Sequence, residues 1–473
     1  MDIIQKVIFM IVSFALSVAP VSTYVEGVAG QPESFFPGAS QTSTDKTISG
    51  LIYRGLFRYD IYGTLVPDLA ESWAISEDGL VYTIKLKDNQ FWTNGKKITS
   101  DDLIYTSFNI SDLAGVATDK VDELSVRYIL PNKYAPFLNL LTVGVMPLNS
   151  LDKDNPLHPV SSGDFRVVRI EKDGIVTKQI ILRTTKDEYK IKKIIFRYYS
   201  NDTELATAAR LGEIDGFLSD DVHGLENFNN HRFPTQGIYY SLYFNLSQEK
   251  LKDVELRKKL EKVLNKSELI IDRGIEAQGP LSRSVFTDLG LKFNKYEKDF
   301  TEDLAGTTLT ITAPDIAVHT EFVNRIKNVW EDKLGIDVSV NDVESGQILS
   351  TVIEPRNFEI LFYGQETGRD PDRYVNWHST QKEAPGLNIT GFENVRADRA
   401  LEEGRNELEN EKRTIHYNEF QKSVIDNTPA IFLYHPYTNY YVSKYVSGIG
   451  EKYTFTHADR FLDFFNWEKI RTN

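Results

Sequence analysis

The sequence predicts an α/β protein built of more than one domain. Three observations carry that expectation. Residues 307–363 alternate strand and helix patterns in the order β-α-β-α-β. Residues 66–86 and 160–200 read as strands with period-2 patterning. The 473 residues exceed one average domain, and at roughly 100–200 residues per domain they give two or three.

The elements follow in chain order. An apolar run from Val7 to Val21 comes after Met1–Lys6, broken only by Ser13, Ser17 and Pro20. A spanning helix wants roughly 17–25 residues and a signal-peptide core about 7–15, so this run of about 15 reads as an export signal. Ser17-Val18-Ala19 has the small-x-small pattern of a cleavage site, but Pro20 follows it. Segment 1–23 is therefore a signal peptide or an uncleaved anchor reaching back to Ile3, with a buried N-terminal helix as the plainer alternative. Residues 44–58 place Ile48, Leu51 and Ile52 at helical spacing. Trp73–Ile75 and Val81–Leu86 alternate as strands around a turn at Glu77-Asp78-Gly79. Thr99-Ser100-Asp101-Asp102 reads as a helix start, with Thr99 as cap and two acids at the positive end of the dipole.

Strands are expected at Phe165–Ile170, Gly174–Arg183 and Ile194–Tyr199. Thr203–Leu211 is a predicted helix closed by Gly212, followed by a strand at Ile214–Phe217. Tyr239–Asn245 is an aromatic strand, and Asp253 caps a helix carrying Leu256, Leu260 and Val263 on one face. Then come the strand Thr307–Thr312, the amphipathic helix Val318–Leu334 stopped by Gly335, the strand Ile336–Val340, a second helix at Ser345–Ile353, and the strand Phe358–Tyr363. That order implies a parallel sheet. Helices near Asp398–Glu409 and Glu411–Asp426 precede strands at Ala430–Tyr434, Tyr440–Val446 and Phe461–Phe465.

Composition excludes several classes. With 54 Lys+Arg against 68 Asp+Glu, the net charge of −14 lacks the basic footprint of a nucleic-acid binder. Zero cysteine excludes disulfides, thiolate metal sites and a lipid anchor on an N-terminal Cys. None of the eight His forms HExxH or a pair at helical spacing, and no G-x-S-x-G elbow, P-loop or EF-hand loop is present. Asp101/Asp102 and Asp220/Asp221 read as caps or surface charges. The expectation is no catalysis, no cofactor and no direct metal ligand set.

One loop carries a different signal. Gly364–Thr380 (GQETGRDPDRYVNWHST) follows the strand Phe358–Tyr363. In open α/β sheets ligands sit beyond the carboxyl ends of the strands. Gly, acid, Arg, Trp and His together offer backbone donors, a charge and a stacking ring. The alternative is a solvated loop in which Asp370-Pro371-Asp372 only makes a turn.

Five stretches, in order, resemble one family. They are LIYRGLFRYD at Leu51–Asp60; VPDLAESW at Val66–Trp73 with SEDGLVYTIKL at Ser76–Leu86; FWTNGKKITSDD at Phe91–Asp102; Leu242–Asn245 with Asp253–Asn265; and Asp370–Asp372 with Trp377–Ser379. From about Tyr24 onward the chain resembles the family 5 extracellular solute-binding proteins of ABC importers, the oligopeptide- and dipeptide-binding type. The resemblance implies a bilobed periplasmic-binding-protein-like fold of two α/β lobes. Lobe I would comprise 24–46, 160–240 and 438–473, with a β-rich subdomain at 47–159 inserted in it, and lobe II would comprise 241–437. It also implies a monomeric extracytoplasmic receptor that closes on a peptide and hands it to a membrane permease with a cytoplasmic ATPase. Membrane contact would come through the N-terminal segment or the permease. Candidate ligand contacts are Tyr53, Arg54 and Gly55 on one wall, with Tyr363, Gln365, Glu366, Arg369, Asp370, Trp377 and His378 on the other. Arg54 could meet a carboxylate, or be a plain surface Arg on a helix. Glu366 stands near the place where peptide-binding members carry an Asp for the ligand's ammonium group, and Asp164 replaces the Pro of the family's sGPy turn. Other occupants in the same fold are a nickel chelate, haem or a sugar. Other roles are a non-transport peptide sensor or chaperone; an extracytoplasmic hydrolase has no sequence signature.

Overall fold

The computed structural model describes residues 22–470, except 41, 185, 221, 223 and 283–295. The apolar run lies outside the described residues, and Thr23 already opens the first strand, Thr23–Ala29. The chain divides into two compact units. Unit 1 holds residues up to Lys133, Phe137–Phe233 and the chain from Thr438 on; unit 2 holds Tyr134–Pro136 and Pro234–Tyr437.

Unit 1 contains a mixed sheet. The end of the strand Ala430–Ser443 pairs with Gly216–Leu218, which pairs with Thr23–Ala29. Thr23–Ala29 runs parallel to Lys193–Tyr199, and Val176–Thr184 and Phe165–Asp173 follow antiparallel. The period-2 pattern decides the faces. Ile194, Phe196 and Tyr198 are buried, while Ile195 and Arg197 between them are not. The buried face meets an aromatic cluster of Tyr24, Phe461, Phe464 and Trp467. Here the expected strand Phe461–Phe465 is corrected, because His457–Phe461 and Phe464–Asn466 are 3₁₀ turns. Three rings spaced three residues apart reach one core only from a helical backbone, and Thr456 and Asp459 form a capping box that starts it.

Within unit 1, Ala70–Ile75, Val81–Leu86, Ser125–Ile129 and Ala117–Lys120 form a four-stranded antiparallel sheet. Gly79 turns the first hairpin at φ +72°. Helix Ser100–Asn109 begins at the Thr99/Asp102 capping box. Asp102 does more than cap: it also accepts from Trp92 Nε1 (3.3 Å) and Leu148 N (2.8 Å).

Unit 2 contains the predicted parallel strands. Thr308–Pro314 runs parallel to both Asp337–Val343 and Ile360–Glu366. Ile238–Phe244 then pairs antiparallel with Ile360–Glu366 and with the start of Ala430–Ser443. Helix Ala317–Leu334 buries Phe322, Val323, Ile326, Trp330 and Leu334, and Gly335 ends it at φ +63°. Two expectations change. Ser345–Ile353 is not an α-helix; only Leu349–Ile353 coils, as a π-helical turn, with Gly346 a poor former in the preceding turn. Ala430–Tyr434 and Tyr440–Val446 are largely one strand, Ala430–Ser443, running through Pro436, which pairs with Gly274.

Candidate functional site

The strand Ile360–Glu366 is longer than its apolar core requires, and its last residues begin the candidate loop. Gly364 leaves room for Tyr240, since a Cβ there would lie 2.9 Å from its ring. Tyr240 stacks between Phe362 and Tyr434. Gln365 points inward and accepts from the Tyr239 (2.6 Å) and Tyr243 (3.3 Å) hydroxyls. Tyr363 is half-buried, and burial together with the nearby Glu366 charge raises its hydroxyl's pKa. Glu366 itself is exposed. Thr367 N donates to Gly237 O (2.8 Å), which anchors the strand's exit.

Beyond that point the loop's acids are held largely by arginines of the helices Val395–Asn406 and Asn410–Asn427. Asp370 receives both Arg413 Nη1 (3.0 Å) and Nη2 (2.7 Å), a bidentate pair. Its Oδ1 also accepts from Asp372 N (2.9 Å), closing the turn around Pro371. Asp372 takes Arg405 Nη2 (2.9 Å). Arg373 is buried, with Nε on Pro280 O (3.0 Å) and Nη1 on Asp370 O (2.6 Å). Burial lowers the Arg373 pKa. Burial also opposes the charge on Arg413, but the hydrogen bonds and charge of Asp370 outweigh it and the net shift is upward.

The ring and imidazole expected to face a ligand are packed instead. Trp377 is 1% exposed, donates from Nε1 to the Tyr239 hydroxyl (3.3 Å), and lies against Phe392 and Phe432. His378 is buried, stacked on Tyr374 at 4.1 Å, with Nε2 3.3 Å from Glu402. Arg369 is half-buried. The loop thus brings Tyr363, Glu366 and Arg369 toward its accessible side, and uses Gln365, Asp370, Trp377 and His378 as its frame.

In unit 1, Tyr53 is buried at the end of helix Ser43–Ile52. Arg54 is neither on the helix nor free. Its Nε (2.8 Å) and Nη2 (2.5 Å) grip Asp68 Oδ1, and Nη1 donates to Gln90 (2.7 Å). Gly55 sits where the backbone of Thr142 approaches, 2.6 Å from any added Cβ. Sequence reasoning missed Asp68, although it stands in the VPDLAESW stretch. It also missed Tyr239, Arg405 and Arg413, for which no local signal exists: Arg413 lies 43 residues from Asp370. Among the described residues no group of three or more acids or His could hold a metal, and no helix is long and apolar enough to cross a membrane.

Comparison with known proteins decides the family. Residues 64–385 match the sequence model of the bacterial extracellular solute-binding proteins, family 5 Middle. The chain belongs to that family. Its family 5 relatives include the oligopeptide-binding protein AppA of Bacillus subtilis, 24% identical, the alignment covering 94% of this chain and 90% of AppA. A dipeptide-binding protein of Pseudomonas aeruginosa is 23% identical, covering 89% of this chain and 90% of its own length. Among solved structures, NikZ from Campylobacter jejuni in complex with Ni(L-His) superposes with a TM-score of 0.73 at 23% identity, covering 95% of this chain and all of NikZ. At that identity the likeness is one of fold. The α/β fold class expected from the sequence stands, as the periplasmic-binding-protein fold of a solute-binding protein of ABC transporters.

Proposed function

We propose that this chain is an extracytoplasmic receptor that captures a peptide and delivers it to an ABC import permease, without chemistry of its own. The observation that carries the reading is the family match, together with relatives named for oligopeptide and dipeptide binding along nearly the whole chain. Lobe I is 24–46, 160–240 and 438–473 with the β-rich insertion at 47–159, and lobe II is 241–437; the compact units follow these bounds closely, except that Tyr134–Pro136 and Pro234–Tyr240 belong to unit 2. The chain passes from one unit to the other at Phe233–Pro234 and Tyr437–Thr438, and on either side of Tyr134–Pro136. In lobe II the ligand-facing groups are Tyr363, Glu366 and Arg369, with Glu366 meeting the ligand's ammonium group. The Arg54 fork is committed to Asp68, so in lobe I the segment Tyr53–Gly55 supplies shape rather than charge. The receptor is a monomer reached by export, with the run Val7–Val21 either removed or kept as its tether.

Native mass spectrometry of the protein as purified tests the reading. Adducts with the masses of short peptides are expected, and the same peptides, added back, raise the melting temperature and return with unchanged termini. A ligand-free mass with no thermal shift across a peptide library overturns the peptide assignment. New peptide termini overturn the absence of catalysis.

A further inference from the structure

The unit 1 sheet carries three cations in a single rung. Arg166 is the cross-strand partner of Arg183, and Arg183 of Lys193. Direct partners project to the same face of a sheet. Their strand neighbours Phe165, Val167, Leu182 and Ile194 are buried on the opposite face, so the cations point away from the aromatic core. Like charges directly opposite destabilise a sheet. Nearby cations have acidic partners: Lys186 with Asp164, Lys190 with Glu468, Lys192 with Asp187. Among the described residues the three cations of the rung have no ion pair. In a chain of net charge −14, an uncompensated rung of this kind is out of character.

The same end of the sheet holds the first described residues. Thr23 is the register partner of Lys193, and Ser22 O accepts from Lys192 N (2.8 Å) and Lys193 N (2.9 Å). The apolar run Val7–Val21 ends one residue earlier. Farther along this face the sheet is covered, because Leu205 and Ile214 crowd against Gly27. At the rung the face is open, with Arg166 and Arg183 exposed and Lys193 half-buried; Arg169, one rung farther on, is paired with Glu171.

We propose that Arg166, Arg183 and Lys193 form a contact surface for an anionic lipid bilayer, holding this end of unit 1 against head-group phosphates. Guanidinium forks match phosphate oxygens, and anionic surfaces attract cations over about a Debye length, roughly 8–10 Å. A bilayer fits better than an acidic protein because the first described residues, Ser22 and Thr23, lie at this rung and follow directly in sequence on the apolar run Val7–Val21. The inference does not rest on the peptide reading, and its failure leaves that reading untouched.

Vesicle flotation of the full chain tests it, using phosphatidylcholine alone and phosphatidylcholine with phosphatidylglycerol. The wild type is expected to partition more strongly onto the anionic vesicles, and this excess falls as salt is added. The variant R166Q/R183Q/K193Q loses the excess, at about fivefold for each cation and so roughly a hundredfold for three. Its binding to neutral vesicles is unchanged. A control, K252Q/K258Q/K262Q, removes the same charge from unit 2, where each Lys faces an acid, and keeps most of the excess. Equal wild-type partition onto both vesicles, an excess indifferent to salt, or equal loss in the control overturns the proposal. Binding that appears only with protein-containing membranes overturns it too, in favour of an acidic protein. The wild-type salt titration decides the matter even if the triple variant fails to fold.

Discussion

Each unit buries an arginine against a carboxylate, and the two pairs do different work. In unit 1, Arg460 and Glu26 are 3% and 1% exposed at the side chain and 2.8 Å apart. Glu26 also accepts from the Tyr24 (3.0 Å) and Tyr440 (2.7 Å) hydroxyls, and Arg460 donates to Thr47 (3.2 Å). Burial, and then the Glu26 charge, keep both tyrosines protonated far above their ordinary range. That network ties the first strand, the first helix, the last long strand and the C-terminal turns into one core. In unit 2, Arg413 and Asp370 fix a single turn after a strand end. The chemistry is the same, but one pair serves the architecture and the other serves the shape of a loop. Burying ions costs several kcal/mol unless they are paired, so in each case the pair persists only where its geometry is held by neighbours.

Substituting either arginine separates the two roles. Arg460→Met and Arg413→Met each strand a buried carboxylate, and each is expected to cost about 3–5 kcal/mol in urea unfolding. Arg413→Met also weakens ligand binding in the folded fraction by about tenfold or more, near 1.4 kcal/mol, whereas Arg460→Met leaves affinity unchanged. Equal affinities break the comparison. Trp377→Ala removes a core ring and is expected to cost about 3–5 kcal/mol, read as a lowered urea midpoint. An unchanged midpoint would mean that the loop's frame does not depend on it. Glu366→Ala, on an exposed side chain, changes stability by no more than about 0.5 kcal/mol but weakens the ligand by about tenfold in calorimetry.

The smallest effect is a pH slope that belongs to unit 1. His231 is half-buried near the buried pair Lys452–Asp463. Burial, then the Lys452 charge, push its imidazole below the ordinary 6.5, with Asp463 opposing. The unfolded chain therefore binds this proton more readily than the folded one, so stability falls as pH drops below 6.5 toward the folded value. His231→Gln removes that part of the slope, a few tenths of a kcal/mol at this exposure, measurable as urea midpoints at about pH 7 and about pH 5.

Much of the fold was legible because its signals are local. Alternation placed Val81–Leu86 and, as Phe165–Ile170, most of the strand Phe165–Asp173; helical spacing placed Ala317–Leu334 as Val318–Leu334, and Gly79 and Gly335 marked turns that need positive φ. The C-terminal aromatics misled, because Phe461–Phe465 alone cannot show that Trp467 must join the same core. In the loop, the Asx turn at Asp370-Pro371-Asp372 was readable. The inward Trp377 was not, since Trp on a polar loop reads as exposed until Tyr239, Phe392 and Phe432 are brought around it.

By itself the sequence determined the α/β class, the parallel running of the strands in 307–363, the absence of thiol chemistry and, through five ordered motifs, the family. Those follow from periodicity, composition and short spacings, which act within a few residues. The tertiary structure alone decided which charges are consumed and which are left over. Arg54 is taken by Asp68, Asp370 by Arg413 and Asp372 by Arg405, while register alone sets Arg166, Arg183 and Lys193 side by side. Ion pairing acts over a few ångströms between residues far apart in the chain, and only folding sets those distances.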